Sequence, residues 1–475
     1  MYIDGEWKGA DDGSRFDVFN PATGEKIGDV PDGDRADARR AIAAAEKALS
    51  GWSELTAYQR SAFLYRAYEL MIARKKILAE LMTTEQGKPF RAALAEVQYG
   101  ADFLLWFAEE AKRAYGDIIP APRADQRFMV LHSPVGVVGA ITPWNYPVSM
   151  VTRKIAPALA AGCTIVLKPA EATPLCAVEI FKILAEAGIP AGVANLVTAS
   201  RPAPIGEEFI ANPGIRKLTF TGSTAVGKLL AKGAADQLKR ISLELGGHAP
   251  FIVFDDADPR YAAKAAALVK FLNTGQACIS PNRIYVQRRI FDDFADEFTA
   301  RTRSLKAGSG LDESVRIGPL VNEQALQKVA GQVNDALAKG ATALCGGKRL
   351  MDNGLDRGYF YAPTVLSGVS PDMRIYREET FGPVAPLIPF DTEEEVLKMA
   401  NDTHYGLASY VYTNALSRAM RMMEGLRFGI VGINDINPTA AAAPFGGMKE
   451  SGIGREGGRE GIREYLETKL VGISI

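Results

Sequence analysis

Cysteine and histidine are scarce in this chain: its 475 residues include four of the first and three of the second. The cysteines, Cys163, Cys176, Cys278 and Cys345, stand far apart with no C-x-x-C pair. That spacing argues against a disulfide framework and fits a reducing, cytoplasmic setting. No histidine belongs to an H-E-x-x-H arrangement, so no metal site is expected. A surplus of either charge is missing as well. The 55 basic and 56 acidic residues leave a formal net charge of −1, too little positive charge to make nucleic acid a partner. Uninterrupted apolar runs of about 18 residues are absent, so no membrane span is expected. The opening stretch, MYIDGEWKGADDGS, is acidic and polar, without the basic start and apolar core of a signal peptide.

Material for large cores is plentiful. Hydrophobic residues make up 47% and charged residues 23% of the chain, and a length of this order suggests roughly two to four domains. Residues 1–115 read as mostly helical. In AYQRSAFLYRAYELMIARKKILAELMTTEQGK apolar residues recur three and four apart, until Gly87 and Pro89 end the pattern. From residue 135 the texture changes. The short runs VGVVGAI, TIVLKP, VANLVT, KLTFTG and PFIVF alternate with helical segments, which is the pattern of βαβ units around a parallel sheet buried on both faces. A second alternating block follows Cys278 and continues to about residue 446. The segment 116–134, GDIIPAPRADQRFMVLHSP, interrupts the first block with prolines and charges and reads as an arm, as does the C-terminus.

Three stretches compete for a nucleotide. GSTAVGKL, residues 222–229, follows an expected strand and opens a helix. It falls short of a Walker A loop because Leu229 stands where a hydroxyl would hold magnesium. What remains is a strand, a glycine turn and a helix N-terminus with Ser223 at its mouth, able to receive a diphosphate or simply to cap the helix. GIGREG, 452–457, matches G-x-G-x-x-G in spelling, but the rest of the chain is too short for a βαβ unit of about 30 residues, so it reads as a turn. VLKPAEATP, 166–174, sets Lys168 and Glu171 three apart at a strand end. They form either a grip on ribose hydroxyls or a surface ion pair. Cys278, in FLNTGQACISPNRIYV, is on its own either a nucleophile or an inert, packed thiol.

Seven motifs, in order, resemble those of the NAD(P)-dependent aldehyde dehydrogenase superfamily along essentially the whole chain. They are TPWNYP (142–147), LKPAEATP, FTGSTAVG (220–227), LELGG (243–247), GQAC (275–278), EETFGPV (378–384) and PFGGMKESGIGRE (444–456). WFAEEAKRAYGDIIP (106–120) and REYLETK (463–469) look most like succinate-semialdehyde dehydrogenases. The resemblance implies an α/β fold in three parts: a Rossmann-like dinucleotide-binding domain over 1–115 and 135–246, an α/β catalytic domain over 247–446, and a small β oligomerisation arm from 116–134 and 455–475. It also implies a homodimer or homotetramer.

For the chemistry it implies Cys278 as nucleophile, Glu244 as general base, and the Asn145 side chain with the Cys278 backbone N–H as oxyanion donors. For an NAD cofactor, with NADP possible, it implies Lys168 and Glu171 on one ribose and Gly222 and Ser223 on the diphosphate. Glu379 falls on the nicotinamide ribose, with Trp144, Leu245 and Phe381 lining the same cleft. A carboxylate at Glu171 repels a 2′-phosphate, by up to about 4 kcal/mol at ~4 Å and an effective dielectric of ~20, which favours NAD.

The implied substrate is a small, anionic aldehyde resembling succinate semialdehyde, its carboxylate held by Arg153 and Thr439. Leu272, however, stands where the subgroup has a second arginine. A hydroxylated or differently charged aldehyde (glycolaldehyde, lactaldehyde, a phosphono-aldehyde) is therefore an alternative. Ser280 replaces the second cysteine of members that form a regulatory disulfide. A cysteine esterase and a non-catalytic binding protein are the competing readings.

Overall fold

Strands Val137–Ile141, Thr164–Lys168 and Ile215–Thr221 are buried along almost their whole length. Runs apolar on both faces pair in parallel and need helices on either side. In the computed structural model, which describes residues 1–475, they form the middle of an eight-stranded sheet. Its order is Gly452–Ile453, Arg240–Glu244, Ile215–Thr221, Val137–Ile141, Thr164–Lys168, Ala194–Leu196, Tyr2–Ile3, Glu6–Trp7. The five central strands are parallel. The chain enters this parallel set at Val137–Ile141, winds out to Ala194–Leu196, then crosses back to Ile215–Thr221 on the other side. The winding thus reverses between Val137–Ile141 and Ile215–Thr221, and the crevice at their carboxyl ends is where open sheets of this kind bind ligands. TPWNYP leaves the first of these ends and Gly222–Ser223 the second.

A second sheet has seven strands in the order Thr342–Cys345, Thr364–Ser367, Val384–Phe390, Pro281–Gln287, Ala249–Val253, Ala408–Tyr412, Ile430–Ile433. All its pairs are parallel except the first. Cys278 lies just before Pro281–Gln287, so it sits at the amino end of this sheet. A third sheet joins Leu466–Ser474 to Gln126–Pro134 and Asp117–Ile119, all antiparallel.

The N-terminal region differs from the helical expectation up to residue 34. Tyr2–Ile3 and Glu6–Trp7 extend the large sheet, and Arg15–Phe19 pairs with Lys26–Pro31. Strands of two to six residues are too short to show a period. Helices follow at Arg35–Ser53, Ala57–Ala73, Lys75–Gln86 and Phe90–Glu110. The first starts on a capping box from Asp34 and Asp37, and the third stops at Gly87 in the left-handed conformation.

GIGREG is more than a turn. Gly452–Ile453 pairs antiparallel with Leu243–Glu244, because glycine lets it approach: a Cβ at Gly452 would lie 2.3 Å from the Leu243 carbonyl oxygen. No helix is long and apolar enough to cross a membrane.

Candidate active site

A cavity of about 720 Å³ opens at the reversal point of the large sheet. Trp144, Asn145, Glu171, Gly222, Ser223, Glu244, Leu245, Cys278, Glu379 and Phe381 all line it, although they come from stretches far apart in sequence. Lys168 sits just behind its wall, buried, with its ammonium 3.0 Å from Glu171, whose carboxylate is half exposed. Burial lowers the Lys168 pKa and Glu171 raises it again, burial prevailing. Ser223 caps helix Thr224–Ala235, accepting from the Val226 N–H at 3.4 Å. The first turn of such a helix keeps further donors and the positive end of its dipole for an anion.

Phe381 stands edge-on to Trp144 with ring centroids 5.4 Å apart. Its φ of +55° is unfavourable for a bulky side chain and is maintained by its surroundings. Glu379 accepts from the Gly247 N–H at 2.8 Å, and loss of water in the cleft wall raises its pKa to about 6. Two carboxylates to accept from ribose hydroxyls, a capped helix N-terminus to donate to phosphate and an aromatic pair, all along one cleft, fit an extended dinucleotide.

At the inner end lies Cys278, largely buried but reaching the cavity. Its loop is tightly tied. Asn273 and Thr274, both non-glycine, take positive φ of 48° and 60°. Asn273 Nδ2 donates to the Asn145 and Gln276 carbonyls at 3.0 and 3.2 Å. Thr274 Oγ1 accepts from the Gly318 N–H at 2.9 Å, and Gln276 Oε1 accepts from the Val321 N–H at 3.0 Å. Gly247 abuts the loop so closely that a Cβ there would lie 2.1 Å from the Cys278 carbonyl oxygen.

Asn145 Nδ2 donates to the Gln276 carbonyl at 3.1 Å, which uses one of its two amide hydrogens and leaves the other for a ligand. The Asn145 carbonyl also accepts from Lys88 at 2.9 Å. Lys88 is buried, ion-paired with buried Glu96, and lies 3.7 Å from the Tyr146 ring centroid. Glu96 in turn accepts from the Val148 and Ser149 N–H groups at the start of helix Ser149–Ala161, at 3.0 and 3.1 Å.

Glu244 ends strand Arg240–Glu244, and only 2% of it is exposed. Neither carboxylate oxygen has a hydrogen-bond partner. Burial raises its pKa to about 8, with Arg153 and Lys154 opposing the rise and Glu456 adding to it. The Cys278 thiol is raised too, by burial first and by Glu244 second. Both groups therefore hold their protons at neutral pH, and losing either one requires a base or a compensating charge.

Behind them Arg153 Nε and Lys154 Nζ each lie 2.6 Å from Glu456. Burial opposes ionisation of Glu456, but Lys154 and Arg153 outweigh it and pull the carboxyl down to about 2. Arg153, expected at the substrate carboxylate, is thus sealed beside the cavity with its Nε committed to Glu456 and its Nη2 unpartnered. Thr439 lies outside the cavity lining, its hydroxyl on Asn437 at 3.1 Å. Leu272 is 40% exposed, and Ser280 is buried, its hydroxyl on the Lys270 carbonyl at 3.2 Å.

The sequence reading missed Lys88, Glu96, Lys154 and Glu456, as well as Gln324 and Lys328, which also line the cavity. Lys328 shows its place by the downward pull it exerts on Glu379. Glu456 lies inside a quoted motif, but nothing local reveals that its partner Lys154 is some 300 residues away.

Residues 7–471 match the model of the aldehyde dehydrogenase family. The chain is similar to a probable NADP(+) succinate-semialdehyde dehydrogenase of Sinorhizobium fredii, 52% identical over 96% of this chain and 92% of that one. It is also similar to a glutarate-semialdehyde dehydrogenase of Pseudomonas putida, 51% identical over 100% and 97%. Among solved structures, an E. coli NADP-dependent enzyme superposes with a TM-score of 0.98 at 49% identity, covering 100% of this chain and 98% of that one.

Proposed function

Because the chain belongs to the aldehyde dehydrogenase family, we propose that it oxidises a small anionic aldehyde, of the succinate- or glutarate-semialdehyde kind, to the acid with NAD(P). The observation that carries the anionic choice is the charge balance behind the nucleophile. Two buried cations, Arg153 and Lys154, face one carboxylate, Glu456, and Arg153 Nη2 is left without an acceptor. While Glu244 keeps its proton, one positive charge is left over beside Cys278, and it favours a substrate that brings its own negative charge.

In the molecules whose Glu244 is ionised, Cys278 attacks the aldehyde carbon as its thiol proton passes to that carboxylate, which then gives the proton up to solvent. The new oxyanion is met by the free amide hydrogen of Asn145 and the Cys278 backbone N–H, donors whose individual loss costs about 3–4 kcal/mol of transition-state stabilisation. NAD(P), held in the cleft, would supply the hydride acceptor needed to oxidise the thiohemiacetal to a thioester. Glu244, again ionised, then takes a proton from a water that attacks the thioester carbonyl. The carboxylic acid leaves and the Cys278 sulfur is restored. Balanced, one aldehyde, one NAD(P)⁺ and one water give one carboxylate, one NAD(P)H and two protons.

Lys168 and Glu171 hold the adenosine ribose, Gly222 and Ser223 the diphosphate, and Glu379 the nicotinamide ribose, with Trp144, Leu245 and Phe381 along the walls. The half-exposed Glu171 carboxylate makes NAD the preferred form. The eight-stranded sheet with its helices serves as the dinucleotide-binding domain and the seven-stranded sheet as the catalytic one. The three-stranded sheet is the oligomerisation surface of a cytoplasmic homodimer or homotetramer.

The test is absorbance at 340 nm with each cofactor and a panel of succinate semialdehyde, glutarate semialdehyde, glycolaldehyde, lactaldehyde, a phosphono-aldehyde and butanal. The semialdehydes with NAD should give the highest kcat/KM. A preference for NADP contradicts the role of Glu171, and a preference for butanal contradicts the anionic substrate. Ester hydrolysis without reduction of either cofactor by any aldehyde overturns the dehydrogenase reading.

A further inference from the structure

Helix Pro174–Glu186 begins without the cap that its own sequence offers. Thr173 stands at the N-cap position, yet its hydroxyl is buried, unpartnered and caps nothing. Pro174 has no N–H to satisfy. The first donors of the helix are therefore those of Leu175 and Cys176, the second and third positions that a capping side chain ordinarily serves. Glu85, 90 positions before Leu175, takes both. One carboxylate oxygen accepts from the Leu175 N–H at 2.6 Å and the other from the Cys176 N–H at 3.0 Å.

Glu85 lies in the last turn of helix Lys75–Gln86 and is only 1% exposed. Burial raises its pKa to about 7, while the Cys176 thiol and the two N–H groups pull the other way. A carboxylate is costly to bury, and the donors that stabilise this one all belong to a single helix start. Residues 169–173, which carry Glu171, end at that start. Their other end is fixed by strand Thr164–Lys168, where the Lys168 carbonyl accepts from the Thr142 N–H at 3.1 Å. Within the loop the Thr173 N–H donates to the Ala170 carbonyl at 3.2 Å, and the Lys168 ammonium lies 3.0 Å from Glu171. Resting on the reading that Lys168 and Glu171 hold the adenosine ribose, we propose that Glu85 is a positioning residue for the cofactor, fixing the far end of the loop that presents Glu171. Without it the helix start loosens, and the Glu171 carboxylate loses its place before any contact with the reacting atoms changes.

The experiment compares full-length wild type with Glu85→Gln, whose amide carbonyl serves one N–H but not both. A double variant, Glu85→Gln with Thr173→Asp, returns a carboxylate to the helix start from the N-cap position. ADP-ribose, followed by calorimetry, probes the adenosine end of the cleft without the nicotinamide ring. Glu85→Gln should bind it about tenfold more weakly and raise KM for NAD by about the same factor, while kcat and KM for succinate semialdehyde hold within about twofold. The double variant should return to within about threefold of wild type. Unchanged ADP-ribose affinity, a fall in kcat in step with the rise in KM, or a Glu85→Gln chain that does not fold marks Glu85 as structural and overturns the proposal. So does a double variant as weak as the single one. Glu171→Ala tests the underlying reading separately: if it binds ADP-ribose as wild type does, the loop does not hold the ribose, and the positioning role falls with that assignment.

Discussion

Glu244 holds a proton at neutral pH that its proposed role as base requires it to give up. With its carboxyl raised to about 8 by burial, the ionised fraction grows about tenfold per unit up to that pH and levels off above it. Hydrolysis of the acyl intermediate should therefore accelerate with pH through about 8, measured by single-turnover release of the acid. Glu244→Gln should lose roughly 10²–10⁴ of that rate and its pH dependence.

The same shift bears on stability. A carboxyl whose pKa rises on folding from its ordinary 4.5 to about 8 lowers stability progressively as pH climbs between those values. Glu244→Gln should then melt higher than wild type at pH 8, with the difference vanishing near pH 4. Single residues of this kind were legible where a motif names them. Cys278, Glu244 and Asn145 each stand in a short recognisable stretch, and all three line one cavity. The Arg153–Glu456 pair was not legible, because the two residues are 303 positions apart and neither one's neighbours hint at the other.

At the level of elements, the Cys278 loop and the start of helix Ser149–Ala161 are held in register by one buried ion pair. Lys88 supports the Asn145 carbonyl, and Glu96 caps the helix that follows. Removing one partner strands a charge in the interior, typically at a cost of about 3–5 kcal/mol. Lys88→Met should lower the denaturation midpoint accordingly and reduce kcat more than it raises KM, since Asn145 loses its anchor rather than its contact with substrate. Restoring stability without restoring kcat, by pairing Lys88→Met with Glu96→Gln, would separate the two effects.

The long helices were visible in the sequence because three- and four-residue spacing persists over many turns. The opening strands and the Gly452–Ile453 edge were not. A two-residue strand has no period, and its existence depends on a neighbour arriving from elsewhere in the chain.

Across the whole molecule, the carboxyl ends of one sheet face the amino end of the other, and the cleft between them brings the groups proposed to hold the dinucleotide together with the thiol. The alternation of short apolar runs with helical segments made two parallel-cored sheets expected. It could not show that a C-terminal strand would return to each of two other sheets. The three-stranded sheet leaves Ile118, Leu470 and Ile475 exposed at 78%, 63% and 72%, a set of apolar side chains that a lone chain gains nothing by presenting to water. Replacing Leu470 and Ile118 together by lysine should shift the protein from an oligomer to monomers in light scattering while leaving the sheet register intact.

The central claim, that an aldehyde is oxidised while bonded to Cys278 with Glu244 needed to release it, is tested most directly by acid-quench mass spectrometry of Glu244→Gln mixed with NAD and succinate semialdehyde. The account predicts a succinyl thioester on the peptide carrying Cys278, formed more slowly than in the wild type because Glu244 also takes the thiol proton, but accumulating to one per site, only when NAD is present and with one NADH each. An adduct on another cysteine, or none while NADH accumulates, would contradict it.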